Sequence, residues 1–71
     1  MNAYDFEVDI VPLSVADGGG FAAIAPELPG CRSDGDTPQE ALENIYDAIY
    51  CWIEAAQEMG RAVPQPRRIA A

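Results

Sequence analysis

Hydrophobic and polar residues alternate at the start of the chain, which predicts a β-strand from Tyr4 to Ile10. Apolar side chains occupy every second position of this segment, and the positions between them are acidic. These acidic residues are Asp5, Glu7 and Asp9. A period of two is typical of a strand with one buried face, so we expect the three carboxylates to line the open face. Pro12 lacks an amide donor, so the strand ends near it or lies at an edge there.

Two turn segments divide the next part of the chain into two further strands. Gly18–Gly20 can supply the positive φ angles that a hairpin connection needs, and the return strand is predicted at Phe21–Ala25. The turn Pro26–Gly30 then leads to a short third strand, predicted at Cys31–Asp34. The two faces of the return strand are expected to carry Phe21 with Ala23, and Ala22 with Ile24.

A long amphipathic helix is predicted from Pro38 to Met59. Thr37 is suited to cap its N-terminus, and Glu40 follows three residues later, as in a capping box. Apolar residues recur at three- and four-residue steps along one stripe, and most acidic residues lie on the opposite side. The stripe comprises Leu42, Ile45, Ile49, Trp52, Ile53 and Ala56. Gly60 is a natural end for the helix.

The order strand, strand, strand, helix predicts an α+β fold. Short connections make the strands antiparallel, and one helix covers the apolar face of the three-stranded sheet. We expect one domain over residues 1–71, with residues 61–71 forming an extended tail in which Arg67–Ala70 could add a short final strand. A domain of this size buries only about 60% of its unfolded surface, which favours association with itself or with a partner.

The charge of the chain excludes several classes of partner. Acidic residues outnumber basic ones by 12 to 4, giving a net charge of -8, and there is no histidine. Direct nucleic-acid binding is disfavoured, because such binding relies on Lys and Arg to neutralise phosphates. A basic protein is the complementary partner. We expect no membrane association and a cytoplasmic location, because no apolar run is long enough to span a bilayer and the N-terminus lacks a signal-peptide pattern.

Candidate catalytic and metal sites are weak in this sequence. Asp5, Glu7 and Asp9 could in principle hold magnesium, but a row on one strand does not converge as a metal site does. Cys31 and Cys51 cannot form an ordinary zinc site without histidine, and we expect both thiols to be reduced and unreactive. We therefore expect no catalytic residue, no metal and no cofactor. A metal-dependent nuclease using the three acids is the enzyme alternative.

The segment Pro26–Cys31 and the residues after it resemble the HicB family of antitoxins. The likeness includes the Pro-Glu-Leu-Pro-Gly-Cys run, a Ser-Asp-Gly-Asp-Thr stretch at residues 33–37 and a Glu-Ala-Leu-Glu-Asn stretch at residues 40–44. It extends from Tyr4 to about Pro66. The resemblance implies a partial ribonuclease-H-like fold, in agreement with the predicted element order. It also implies function by occlusion, since HicB-like proteins bind small basic HicA-type toxins and block their access to messenger RNA.

For this chain the resemblance implies an antitoxin with no enzymatic activity. From charge and from the open strand face and adjoining turns, we expect the toxin-binding residues to be Asp5, Glu7, Asp9, Glu27, Asp34 and Asp36. Many HicB-like proteins carry a C-terminal DNA-binding segment that represses their own operon, but too few residues follow the helix here for one, so autorepression by this chain stays an open question. We also expect a homo-dimer or homo-tetramer. A stand-alone homo-oligomer without a toxin is the alternative.

Overall fold

The computed structural model describes residues 3–64 and shows a three-stranded antiparallel sheet with a single α-helix packed on one side. The elements are β1 (Asp9–Pro12), β2 (Phe21–Ile24), β3 (Arg32–Gly35) and α1 (Pro38–Glu58). Two 3₁₀ turns, Ala3–Asp5 and Val15–Asp17, precede β1 and β2. The strand order in the sheet is β1-β2-β3, so the predicted α+β fold is confirmed. The predicted final strand at residues 67–70 lies outside the described residues.

The first strand begins at Asp9, five residues later than predicted. Ala3–Asp5 form a 3₁₀ turn instead of extended chain. Strands β1 and β2 are antiparallel, and Asp9 pairs with Ile24, the last residue of β2. Residues before Asp9 therefore have no strand beside them, because the chain after Ile24 leaves the sheet through the Pro26–Gly30 turn. The predicted strand Tyr4–Ile10 is wrong in its first five residues for this reason.

The other boundaries differ from the predictions by one or two residues. Strand β1 continues to Pro12, β2 ends one residue early at Ile24, and β3 is shifted by one residue toward the helix. The helix ends at Glu58, with Met59 as its C-cap. Differences of this size are usual at element ends, where the hydrogen-bond ladder gives way to turns.

The connection between β1 and β2 uses three left-handed glycines in succession. Gly18, Gly19 and Gly20 have φ angles of +102°, +71° and +73°, a region that costs glycine little. The hydroxyl of Ser14 accepts a hydrogen bond from the backbone N–H of Asp17 at 3.2 Å and so caps the preceding 3₁₀ turn. The predicted turn role of the glycines is confirmed.

Helix α1 begins where its capping residues predict. The hydroxyl of Thr37 accepts a hydrogen bond from the backbone N–H of Glu40 at 3.1 Å, which satisfies one of the amides that a helix start leaves unpaired. The buried positions of the helix are Ala41, Ile45, Ile49, Ile53 and Ala56. They recur at three- and four-residue steps, so one stripe of α1 faces the core, as the sequence period predicts. The predicted stripe is off at one edge, because Ala41 is buried where Leu42 was expected, and Leu42 and Trp52 are only half-buried.

The core lies between α1 and one side of the sheet. Ala23, Ile45 and Ile49 are each 0% exposed, and Leu28 from the β2–β3 turn belongs to the same cluster. The helix lies against β3 and β2 and makes little contact with β1. The N-terminal segment contributes Phe6, which is 3% exposed. The core is therefore assembled from the helix, the sheet and two connecting segments.

The sheet has one side that faces the helix and one that does not. Ile10, Phe21 and Ala23 contact the core cluster or belong to it. Because successive residues of a strand point to opposite faces, Ala22 and Ile24 point away from the helix. The predicted division of β2 into two faces is confirmed. We call the side that faces the helix the covered face and the opposite side the open face.

Candidate partner-binding surfaces

Four of the six predicted toxin-binding residues lie around one corner of the molecule. Asp5 ends the first 3₁₀ turn, Glu7 follows it, and Asp9 begins β1. Glu27 reaches the same corner from the β2–β3 turn, since its Oε1 accepts a hydrogen bond from the backbone N–H of Glu7 at 3.4 Å. We call these four residues the acidic corner. The prediction that Asp5, Glu7 and Asp9 share one strand face is wrong, because only Asp9 lies in the strand.

Asp34 and Asp36 lie at the opposite end of the sheet. Asp34 pairs with Ala22, so it lies two strands across from Asp9 and two residues further along the sheet. The strand spacing and the rise per residue place these two Cα atoms roughly 12 Å apart. Asp36 immediately precedes Thr37, the N-cap of the helix. The six acidic residues therefore form two groups.

The Pro26–Gly30 turn holds the acidic corner in place. Leu28 is 1% exposed and anchors the turn in the core, and its carbonyl accepts the N–H of Cys31 at 3.0 Å. The indole Nε1 of Trp52 donates to the carbonyl of Pro29 at 3.1 Å. This part of the sequence thus acts through packing and backbone hydrogen bonds, and it positions Glu27 beside the N-terminal segment.

Two polar contacts of the helix were not predicted from its periodicity. Trp52 was expected only as a member of the apolar stripe, yet it is half-buried and its N–H binds the turn. Asn44 donates from its Nδ2 to the carbonyl of Asp34 in β3 at 2.8 Å. In both cases the residue type alone could have indicated a hydrogen bond. An indole N–H usually has a partner when buried, and asparagine is a weak helix former that needs another reason to occupy a helix interior.

The outer side of α1 is a second acidic surface. Glu43, Asp47 and Glu54 are exposed, and Cys51 is exposed on the same helix, as predicted. Cys31 is buried, and burial raises the pKa of its thiol above the value of an exposed cysteine. Because the thiolate is the reactive form, this shift makes Cys31 less nucleophilic at neutral pH than an ordinary cysteine.

Residues 3–64 form neither a metal-binding cluster nor a membrane span. No three His, Cys, Asp or Glu side chains in this part of the chain are arranged to hold a metal ion. The row of three carboxylates that suggested magnesium is broken, since Asp5 and Glu7 precede β1. No helix among these residues is both long enough and apolar enough to cross a bilayer.

The open face is a mixed apolar and charged surface. Its residues, in two rows across the three strands, are Asp9, Ile24 and Arg32, then Val11, Ala22 and Asp34. Val11 is 42% exposed despite its apolar side chain. The helix contacts the strands from the covered side, and no other element within residues 3–64 packs on the sheet.

Similarity to known proteins covers most of the chain. Residues 10–71 match a family model described as HicB-like antitoxin of bacterial toxin-antitoxin system. A UPF0150 protein of Synechocystis is 45% identical over 47 residues, which are 66% of this chain and 60% of that protein. A UPF0150 protein of Thermoplasma acidophilum is 38% identical over 47 residues, which are 66% of this chain and 68% of that protein.

A phage protein also matches part of the chain. An uncharacterized 14.9 kDa protein of Haemophilus phage HP1, encoded in the rep-hol intergenic region, is 38% identical over 50 residues, which are 70% of this chain and 38% of that protein. The matched part spans less than two thirds of the Synechocystis relative, at 60% of its length. No solved structure matches the chain significantly.

Proposed function

Because the chain belongs to the HicB-like antitoxin family of bacterial toxin–antitoxin systems, we propose that it binds a small basic HicA-type toxin and masks the surface with which that toxin cleaves messenger RNA. The family match over residues 10–71 carries this proposal. The net charge of -8 supports it. A protein that binds RNA presents a positive surface to its substrate, and an acidic protein is complementary to that same surface.

The acidic corner is the proposed first point of contact with the toxin. Four carboxylates at one end of the sheet give it a negative potential, which attracts a basic partner. Glu7 and Asp9 are exposed, so a lysine or arginine side chain can approach them. The buried Leu28 anchors the adjoining turn, and a contact surface that is already ordered loses less conformational entropy on binding.

Asp34 and Asp36 are the second proposed contact, separate from the acidic corner. A toxin that reaches both groups must extend diagonally across the sheet, over a distance of roughly 12 Å. A small folded domain is wide enough, since its radius of gyration alone is about 13 Å for 100 residues. The two groups can therefore contribute independently, and they can be removed independently by substitution.

The remaining parts of the proposal concern activity, location and assembly. The chain is proposed to act in the cytoplasm, to catalyse no reaction and to need neither cofactor nor metal. The absence of histidine from the sequence supports this, because histidine is the residue most often used for proton transfer at neutral pH. With 12 acidic and 4 basic residues, the chain is proposed not to bind nucleic acid itself. It is further proposed to form a homo-dimer or homo-tetramer.

Inhibition of RNA cleavage tests the function. The probe is a purified HicA-type toxin, and the assay follows cleavage of a fluorescently labelled messenger-RNA fragment. We expect cleavage to stop once the purified chain equals the toxin in amount, and a stable complex of the two proteins to elute from a sizing column. Undiminished cleavage in the presence of excess folded chain would contradict the proposal.

Removing charge from the acidic corner tests where the toxin binds. The triple variant Asp5→Asn, Glu7→Gln, Asp9→Asn should associate about 10-fold more slowly at low salt, because charge complementarity raises the encounter rate. The difference should shrink as salt screens the charges. Stopped-flow fluorescence at several salt concentrations gives both quantities.

The matched control removes the same number of charges from the outer side of α1. The variant Glu43→Gln, Asp47→Asn, Glu54→Gln should change the association rate by less than about 2-fold. The double variant Asp34→Asn, Asp36→Asn measures the second contact. If the control and the corner variant slow association equally, then net charge alone matters and the acidic corner is not the contact.

A further inference from the structure

We propose that a second copy of this chain packs on the open face, so that two sheets stack face to face across a two-fold axis. This inference deepens the self-association in the proposed function and rests on that part of it, not on the toxin. Within residues 3–64, the open face is the side of the sheet on which no element packs. Sheets stacked in this way lie about 10 Å apart, with the side chains of the two inner faces interdigitated.

The free edge of β3 is closed to an added strand by the helix. The N–H of Ala25 bonds to the carbonyl of Cys31 at 3.1 Å. Because bonded and non-bonded pairs alternate along an antiparallel ladder, the backbone groups of Asp34 point away from β2. Asn44 in α1 donates to that outward carbonyl at 2.8 Å. A fourth strand would have to displace Asn44, and covering an edge in this way is a recognised protection against lateral pairing.

The free edge of β1 is blunted by a proline. The N–H of Leu13 bonds to the carbonyl of Gly20 at 2.9 Å, so the same alternation directs the backbone of Pro12 away from β2. Proline has no N–H, and an outward position without a donor weakens any added ladder. Extension of the sheet at either edge is therefore disfavoured. Of the two faces, the helix occupies one, and among residues 3–64 no element occupies the other, so we infer that association uses the open face.

The middle of the open face is apolar. Val11 lies beside Ala22 in the adjacent strand β1, and Ile24 lies two residues further along β2. Leu13, just after the end of β1, is half-buried. Ala22 is small and 2% exposed, so it forms a low point between bulkier neighbours. A larger apolar side chain from the second copy can lie there. A chain of 71 residues has a small core, and burial of this surface is a substantial addition to it.

One charge on the open face, that of Arg32, is complementary to a second copy and not to a basic toxin. Arg32 is the one basic residue among residues 3–60 and lies on this face. It has no carboxylate partner within the described residues. A two-fold axis along the strands places Asp9 of the second copy over Arg32. An axis across the strands places Asp34 of the second copy there, and Ile24 over Ala22. Either arrangement pairs each Arg32 with a carboxylate, whereas a basic toxin would repel it.

This assembly divides the acidic residues between two uses. Asp9 or Asp34, depending on the axis, pairs with Arg32 of the second copy. The proposed toxin contact then falls to the rest of the acidic corner and to Asp36, at the rims of the stacked sheets. The two-fold axis relates two identical toxin sites, so each dimer is expected to bind two toxin molecules.

The mass of the chain in solution tests the interface. Light scattering on a sizing column should give twice the 7.6 kDa chain mass for the wild type, or four times if dimers pair further. Ile24→Glu should weaken the dimer by about 100-fold or more, because it places a charge among the apolar residues of the interface and offers Arg32, its neighbour in β3, a carboxylate within the same copy. Tyr50→Glu is the matched control on the helix, at a residue 63% exposed, and should leave the mass unchanged.

A wild-type monomer, or an unchanged mass for a folded Ile24→Glu variant, would overturn the inference. Circular dichroism establishes that each variant is folded. None of these measurements includes the toxin, so failure of the dimer leaves the antitoxin proposal standing. Failure of the cleavage assay likewise leaves the dimer standing.

Charge-reversal variants identify the direction of the two-fold axis, and they alter the interface less than a charge placed at Ile24 does. Arg32→Asp should dissociate into monomers, because like charges then face each other across the interface. Mixing it with Asp9→Arg should restore a heterodimer if the axis runs along the strands. Mixing it with Asp34→Arg should do so if the axis runs across them. If Arg32→Asp keeps the wild-type mass, or if neither mixture associates, the proposed pairing is wrong.

Discussion

The covered face and the open face of the sheet are built from the same three strands but are packed very differently. On the covered face Ala23 is 0% exposed and lies under a helix whose Ile45 and Ile49 are also 0% exposed. On the open face Val11 keeps 42% of its surface exposed, and Arg32 and two carboxylates surround the apolar centre. Strand alternation always produces two faces, whereas a single helix can cover one. The comparison shows that, within residues 3–64, one face of the sheet is packed against a helix and the other is not.

Small residues bring the helix close to the covered face. A Cβ built on Gly35 would lie 2.5 Å from the backbone nitrogen of Ala41, a distance that real contacts do not allow. Ala41 and Ala23 are both fully buried, so the helix approaches the sheet across short side chains. The open face has no corresponding contact within the described residues. Changes in side-chain size should therefore matter far more on one face than on the other.

The largest expected effect is the loss of a core isoleucine. Ile49→Ala should lower the free energy of unfolding by about 2–5 kcal/mol, because it removes buried methyl groups and leaves a cavity. Ile24→Ala on the open face should cost about 1 kcal/mol in dilute protein, and more at high protein concentration, where dimer formation adds to stability. Urea denaturation at two protein concentrations gives both values. If both variants lost the same free energy of unfolding at both protein concentrations, the two faces would not differ in packing.

An intermediate effect is expected from adding one methyl group at the closest approach of helix and sheet. Gly35→Ala should cost about 1–3 kcal/mol, because backbone atoms of α1 must move to make room. Ser33→Ala is the matched control in the same strand, and its cost should stay below about 1 kcal/mol. Thermal unfolding of both variants checks the difference. A Gly35→Ala variant as stable as the wild type would show that the helix yields easily, and that the covered face is not tightly packed.

The smallest expected effect is at the boundary between the two faces, where Asn44 bonds to β3. Losing this hydrogen bond costs about 1 kcal/mol, but alanine is the better helix former by about 0.6 kcal/mol. The net loss for Asn44→Ala should therefore be about 0.5 kcal/mol. The sharper readout is association, since an uncovered β3 edge should promote higher oligomers on a sizing column. Gln57→Ala, an exposed change on the same helix, is the control and should not alter the elution.

The helix and the turns could be predicted from the sequence because their causes are local. Thr37 caps the helix, the three- and four-residue steps of apolar side chains define its buried stripe, and Gly18–Gly20 adopt the left-handed angles that glycine favours. Each of these depends on residues only a few positions apart. The α+β fold class followed from the order of such elements. The resemblance that pointed to the HicB-like family came from local motifs as well.

The candidate surfaces were only partly predictable. Charge identified the acidic residues individually, but it could not show that four of them meet at one corner while Asp34 and Asp36 lie at the other end of the sheet. The corner depends on a contact between Glu7 and Glu27, which are 20 residues apart. The open face depends on the register that brings Asp9, Ile24 and Arg32 into one row. Neither relationship is expressed in a pattern along the chain.

The sequence by itself determined the number, order and type of the main elements, the stripe of α1 that is buried and the two faces of β2. Only the tertiary structure decided where β1 begins, which acidic residues are neighbours and how the sheet edges are closed. The physical reason is that a strand needs a partner. The alternation from Tyr4 to Ile10 suits a strand, but β2 has already ended beside Asp9, and a segment without hydrogen-bonding neighbours cannot extend the ladder.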